Sequence, residues 1–275
     1  MKIESNYTIA IDRTEWQFGT RWINVLMLSV AYREVSIPLL WIVLDEKGCS
    51  DDAERKAILQ QFIDEFGADS IRFVTADREF CSKRWLEYLI DNKISYRLRI
   101  KTSYQITNAR GRTVKAGQLC RTLKINERVE LRGARRLWTQ TVYVAVCRKP
   151  DGNNVVVISN EASGQILKEY GERWKIETLF GILKTRGFCL EETHLTEVKR
   201  VGKLLSILTI AVSWALLSGE FESQNKPLKT KKHGRLEKSL FRLGFDALRN
   251  CFCQLMTNFR QRQRFQQLTL LLSCT

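Results

Sequence analysis

Histidine is nearly absent from this 275-residue chain: only His194 and His233 occur, so chemistry built on a histidine base has little to draw on. The eight cysteines contain no Cys-x-x-Cys pair, and Cys251 and Cys253, the closest two, are poorly spaced for zinc. They read as reduced, buried thiols of a cytosolic protein. The Met1 end carries no basic stretch followed by an apolar run, the pattern of a signal peptide. The longest apolar region, 204–217, is interrupted by Ser206, Thr209 and Ser213 and reads as a buried helix too short to span a bilayer. Internal repeats and low-complexity linkers are missing too. An apolar content of 44% supplies a substantial core and excludes wholesale disorder.

Charge of both signs is abundant and segregated. Residues 97–150 hold 14 Lys/Arg against 2 acids, and residues 199–275 hold 14 against 4. The remainder holds 17 against 24, so two basic segments flank an acidic rest. Basic stretches point to nucleic acid or an anionic membrane, and an acidic centre suits a cation. A polyanion gripped beside a metal site accounts for both.

Residues 7–12, 22–32 and 35–44 are apolar, β-branched runs that predict three strands in an antiparallel meander. Ser50 and Asp51 predict the cap of a helix running to about Phe66, followed by a strand over 71–76, a helix over 82–91 and a strand over 95–100. That order is the order of an α/β, ribonuclease H-like mixed sheet flanked by helices. We take residues 1–100 as the first part of such a core and 101–160 as a basic β-rich insertion, with strand-like runs around Val114, Leu119–Leu131, Thr139–Cys147 and Val155–Ser159. Residues 161–220 form the second part of the core, including a long helix over about 195–218, and 221–275 a basic helical tail.

The stretch YGERWKIETLFGILK places Tyr170, Arg173, Glu177 and Lys184 within roughly 60° of one another on a straight helix, with Ile176, Leu179, Phe180 and Leu183 on the opposite side. One carboxylate, two cations and a phenol on a face suit a metal ion beside a phosphate backbone; the plain alternative is a solvated face with an Arg–Glu i,i+4 pair. Upstream, Asp12 ends the first predicted strand and Asp77 follows the fourth. If those strands are neighbours, both carboxylates reach one edge of the sheet, and Glu177 closes the cluster. Three carboxylates are hard ligands suited to Mg²⁺ or Mn²⁺, and two such ions serve phosphoryl transfer without a histidine.

The chain resembles the catalytic region of a DDE transposase of the bacterial IS-four insertion-sequence family. The hallmark Tyr-x2-Arg-x3-Glu-x6-Lys is met by Tyr170, Arg173, Glu177 and Lys184, and Asp12 in IAIDRTEW and Asp77 in TADREF match the settings of the family's two aspartates. The resemblance spans about residues 7–250. It implies metal-dependent cleavage of double-stranded DNA and strand transfer in cut-and-paste transposition, through a metal-binding triad of Asp12, Asp77 and Glu177 holding two Mg²⁺ or Mn²⁺ ions. It also implies phosphate contacts from Tyr170, Arg173 and Lys184, a homodimer in the synaptic complex, and a cytoplasmic, nucleoid-associated protein with no membrane partner. Family members usually carry an N-terminal helical domain that recognises the transposon ends; here the first strand begins some six residues after Met1, so cleavage with poor end specificity is the expectation.

A hairpin route would need an unpaired base held on an aromatic ring. Trp138, beside Arg135 and Arg136, is a candidate; a packed strand Trp is the alternative. Arg78 is a candidate DNA contact, against a surface ion pair. The run containing Lys229, Lys231, Lys232 and Arg235 suits nonspecific phosphate binding, against a solvated loop. Trp174 lines the same helix face or completes the core, and His194 reads as structural. Two other functions stay open: a different ribonuclease H-like nuclease, or a catalytically idle DNA-binding relic.

Overall fold

The computed structural model describes residues 6–44, 50–231 and 236–273. Two compact units divide the chain at residue 198/199. The larger begins with β1 (Tyr7–Phe18), β2 (Arg21–Tyr32) and β3 (Val35–Leu44), then α1 (Asp52–Phe66), β4 (Ile71–Ala76), α2 (Lys83–Asp91) and β5 (Tyr96–Arg99). The first three strands pair antiparallel, while β4 runs parallel to β1 and β5 parallel to β4. The sheet order β3-β2-β1-β4-β5 is that of the ribonuclease H-like fold, as the order of elements predicts.

Local chemistry sets these elements. Gly19 at φ +57° and Thr20 form a two-residue turn that closes the β1–β2 hairpin, where a left-handed backbone matches strand twist. Asp51 accepts from the Glu54 N–H while Glu54 reaches back to the Asp51 N–H, a capping box that starts α1. Ser82 caps α2. In the middle of the sheet, Ile9–Ile11 and Ile23–Val30 are buried without alternation, the polar Asn24 and Ser29 included. That pattern belongs to strands covered on both faces.

Residues 101–160 hold β6 (Gln105–Thr107), β7 (Thr113–Lys115), β8 (Arg128–Glu130), β9 (Arg135–Leu137), β10 (Gln140–Arg148) and β11 (Asn154–Ser159). The segment is β-rich, and β11 pairs antiparallel with β5, so these strands extend the sheet. The stretch 119–131, read as a strand, instead carries a 3₁₀ turn at Ala116–Cys120 and only the short β8; turns such as the one at Asn126 (φ +67°) interrupt any extended run.

Helix α3 (Ile166–Tyr170), a 3₁₀ turn at Gly171–Arg173 and α4 (Trp174–Gly181) follow head to tail, then a π turn at Ile182–Arg186. The predicted apolar stripe, Ile176, Leu179, Phe180 and Leu183, is buried, and α4 packs on β3, β1 and β2. Cys81 and Cys120 are buried as expected, but Cys147 and Cys189 are only partly so; Cys49 lies outside the described residues.

In the smaller unit, α5 (Val198–Asn225) starts three residues later and ends seven later than the predicted 195–218 helix, and it groups with the C-terminal segment rather than with 161–198. At 28 residues it is long and apolar enough to cross a membrane, unlike the 204–217 stretch taken alone. Core helices of soluble proteins meet the same criterion, and Val201, Leu205, Leu208, Val212, Ala215 and Leu216 are buried. It is followed by α6 (Leu240–Gln254) and α7 (Phe259–Leu270). A Cβ on Gly219 would meet the Leu240 carbonyl oxygen at 2.0 Å, and one on Gly244 the Ala215 carbonyl oxygen at 1.8 Å, so paired glycines let α5 and α6 cross with backbones touching. The Trp214 indole N–H donates to the Leu268 carbonyl at 2.8 Å, tying α7 to α5. Cys251 is buried here and Cys253 exposed, against the expectation of buried thiols; Cys274 lies outside the described residues.

Candidate active site

Asp12 does not end β1. The strand continues to Phe18 because Arg13–Phe18 pair with Arg21–Leu26 of β2. What ends at Asp12 is the parallel pairing with β4, whose last register pair is Ile11↔Ala76. Asp12 and Asp77 each come next after that last pair, so the sheet itself sets them side by side where the parallel ladder stops, Asp12 inside β1 and Asp77 just past β4. Asp77 sits at the start of the 3₁₀ turn Arg78–Phe80, and Glu177 lies in the first turn of α4.

One side chain joins the three carboxylates. Arg173, 4% exposed, donates from Nη1 to Asp12 Oδ2 at 2.8 Å and from Nη2 to Glu177 Oε1. Its Nε donates to the Tyr170 hydroxyl at 3.1 Å, and that hydroxyl donates to Asp77 Oδ1 at 3.3 Å. Arg99, at the end of β5, reaches the same Asp77 oxygen at 3.3 Å. The helical spacing of three and four residues therefore builds a guanidinium hub, with Tyr170 as its bridge to the second strand.

Electrostatics follow from this arrangement. Burial pushes the Asp12 carboxyl up to about 6, against the lowering effect of Arg173. Burial acts on Asp77 in the same direction, but the Arg78 backbone N–H and the charges of Arg173 and Arg99 hold it below its ordinary value. The Tyr170 phenol is pushed up to about 12 by burial. Burial opposes the Arg173 charge, yet Tyr170 and the surrounding carboxylates hold the guanidinium firmly protonated.

Among the described residues, no three metal-ligating side chains lie close enough to share an ion. The contacts explain this, since the Arg173 guanidinium occupies the position on which Asp12 and Glu177 converge. By donor chemistry the set still fits a hard divalent cation: three carboxylate residues gather around one positive centre, and the charges of Asp77 and Glu177 raise the proton affinity of Asp12.

Lys184 lies in the π turn rather than on a straight helix face. Its Nζ donates to the Glu15 carbonyl at 2.6 Å, pairs with Glu191 at 3.1 Å and sits 5.5 Å from the centre of the Trp16 ring. Arg78 is exposed and makes no ion pair among the described residues; Glu79 pairs with Arg13 at 3.4 Å instead. Trp138 is not on a strand. It occupies the β9–β10 turn with φ +53°, 37% exposed, its ring 5.1 Å from that of Tyr104. Trp174 is 50% exposed, which rules out completing the core, and Lys149 and Arg173 each lie 5.3 Å from its ring centre. His194 packs on Phe18 at 5.2 Å. Lys229 and Lys231 are exposed in the smaller unit; Lys232 and Arg235 lie outside the described residues. Arg99 escaped the sequence reading. The signal for it was a pair of arginines alternating through the otherwise apolar strand YRLRI.

A ribonuclease H-like sheet with two carboxylates where the parallel pairing of adjacent strands stops and a third from α4, together with the family match below, places the protein in the class of polynucleotidyl transferases. Within that class, residues 4–214 match the transposase DDE domain, and the chain belongs to that family. No curated protein matches the chain. Among solved structures, it is similar to piggyBac transposase in a cryo-EM structure of its synaptic complex with hairpin DNA, at 12% identity and a TM-score of 0.46. The match covers 95% of this chain and 57% of that one, so the chain spans little more than half the length of that relative.

Proposed function

We propose that this chain cleaves double-stranded DNA and joins the ends to a target, as the catalytic part of a cut-and-paste transposase of the IS-four kind. The observation that carries the reading is the register: Asp12 and Asp77 each follow the last pair of a parallel ladder, and Arg173 ties both, directly or through Tyr170, to the helix that bears Glu177. Domains of this family use divalent metal ions. Asp12, Asp77 and Glu177 would hold two of them, and ions bound there would activate the attacking oxygen and stabilise the leaving one.

The remaining roles belong to the chain. Asp12 is ionised at neutral pH and available as a ligand. Arg173 holds the carboxylates together at rest and turns to a phosphate when its carboxylates take up a cation. Tyr170, Lys184 and Arg78 position phosphates, and Trp138 holds an unstacked base if the second strand is processed through a hairpin. Lys229, Lys231, Lys232 and Arg235 add nonspecific phosphate contacts. Two copies act together on paired transposon ends, and a cytoplasmic, nucleoid-associated location in a bacterium goes with that task.

The test is a cleavage and strand-transfer assay with Mg²⁺, comparing the wild-type protein with Glu177→Ala. Activity in the wild type and its loss in the variant support the proposal. Equal activity in both would remove Glu177 from the chemistry.

A further inference from the structure

A cavity of about 780 Å³ opens between Arg78 and Arg99, which follow β4 and close β5, and residues of the insertion. That volume falls in the range of about 300–1,000 Å³ typical of ligand clefts. Its walls carry Arg78, Arg99, Lys115 and Arg121, and no carboxylate. Arg99 is held by Asp77, so the groove starts at the candidate active site. Arg78, Lys115 and Arg121 are exposed and make no ion pair among the described residues. Elsewhere in this unit, arginines at comparable positions, such as Arg13 and Arg72, do face carboxylates.

The groove is built rather than incidental. The backbone N–H groups of Ala116 and Gly117 donate to the carbonyls of Tyr104 at 2.7 Å and Thr102 at 2.9 Å, clamping the turn between Lys115 and Arg121 onto the chain leaving β5. A Cβ on Gly117 would come within 3.1 Å of the Thr102 side chain, so glycine permits the close seating. Asn154 also lines the groove, and its side-chain oxygen is buried without a hydrogen-bond partner. A buried amide oxygen left unpaired is costly, and a ligand that presents an N–H or O–H donor to it, as the sugar and base edges of a nucleotide do, relieves that cost.

We propose that this groove is a phosphate-binding track that holds the sugar–phosphate backbone of DNA leaving the active site on the Asp77 side, through Arg78, Lys115 and Arg121, with Asn154 meeting the polar edge of a nucleotide. The inference rests on the reading that the chain acts on DNA. The backbone presented is either that of a duplex or that of a single strand, and the two share their chemistry.

The test reads binding without metal, in EDTA, so that it is separate from cleavage. The affinities of wild type, Lys115→Glu/Arg121→Glu and Lys124→Glu for a fluorescent mixed-sequence duplex and for its single strand are measured across a salt series, with circular dichroism confirming the folds. Lys124 is an exposed insertion cation outside the groove. Each lost phosphate contact reduces the slope of log affinity against log salt by about 0.9 for duplex and about 0.7 for single strand. The double variant is expected to lose close to two contacts and to bind about tenfold more weakly or worse, with Lys124→Glu changing little. Loss on both probes assigns the track to one strand's backbone, and loss on duplex alone to two strands. An unchanged slope in the double variant, or an equal loss in Lys124→Glu, overturns the proposal. A wild type that binds in this way yet fails to cleave with Mg²⁺ would refute the proposed function and leave the track standing.

Discussion

The cations around the carboxylates and the cations of the insertion are the same residue types in opposite situations. At the sheet edge, Arg173 and Arg99 sit within 2.8–3.3 Å of Asp12 and Asp77 and are largely buried. Across the groove, Lys115 and Arg121 stand exposed and without acidic partners among the described residues. A paired, buried arginine organises a site, because an ion pair away from water has fixed geometry and a high cost of separation. An unpaired, hydrated cation organises nothing in the protein and remains available to a polyanion. Net charge alone does not distinguish the two; pairing and burial do.

Four predictions bear on this contrast. The largest effect falls on the acidic side: Asp77→Ala should reduce Mg²⁺-dependent cleavage by about 10³-fold or more, roughly 4 kcal/mol of barrier, with DNA binding in EDTA retained. A gel-based cleavage assay beside a binding titration reads both, and a variant that still cuts would make the acidic cluster structural.

Next, Arg173→Gln should destabilise the fold by about 3 kcal/mol in chemical denaturation, since it strands two carboxylates beside each other. It should also tighten Mn²⁺ binding without DNA about tenfold, because the competing guanidinium is gone; calorimetry would show it. Weaker Mn²⁺ binding would mean that Arg173 shapes the metal site instead of competing for it.

A comparable effect comes from pH. Asp12 has a folded value of about 6 against an ordinary 3.8, so between those values the folded state binds more protons than the unfolded one. Stability of the metal-free protein should therefore fall as pH rises from about 4 to about 6, by up to about 3 kcal/mol from this group, and then level off. Denaturation midpoints across that range should lose most of this trend in Asp12→Asn; an unchanged trend would place its origin elsewhere.

The smallest effect concerns Trp138. Its left-handed turn conformation is strained for a bulky side chain by about 1 kcal/mol, so Trp138→Gly should cost little stability despite the lost packing on Tyr104. First-strand cleavage should stay within about twofold of wild type while any hairpin product declines. A loss of the first cut would move Trp138 from base holding to general packing.

Much of the site was legible along the chain, for different reasons at different residues. Tyr170, Arg173 and Glu177 could be grouped because a helix has a fixed period, and the hub they form needs only the first two turns. Lys184 fell outside that logic: two further turns include a π segment that rotates it towards Glu15 and Glu191. Asp12 was legible as a residue of the first strand, but not as an interior one, since the hairpin that extends β1 to Phe18 depends on its partner β2. Arg99 and Trp138 were harder still. An alternating arginine in a strand and a tryptophan next to a turn both have ordinary explanations until their neighbours are known.

The sequence by itself determined the order of strands and helices up to about residue 100, the apolar stripe beneath α4, the capping of α1 and the segregation of charge, because periodicity, caps and composition act over a few residues. Only the tertiary structure decided that Ile11 pairs with Ala76 and so places Asp12 beside Asp77, that Arg173 lies buried among the carboxylates, and that Lys115 and Arg121 face an open groove. Those outcomes depend on strand register and on which charges find partners across a hundred residues or more, and no local pattern carries that information.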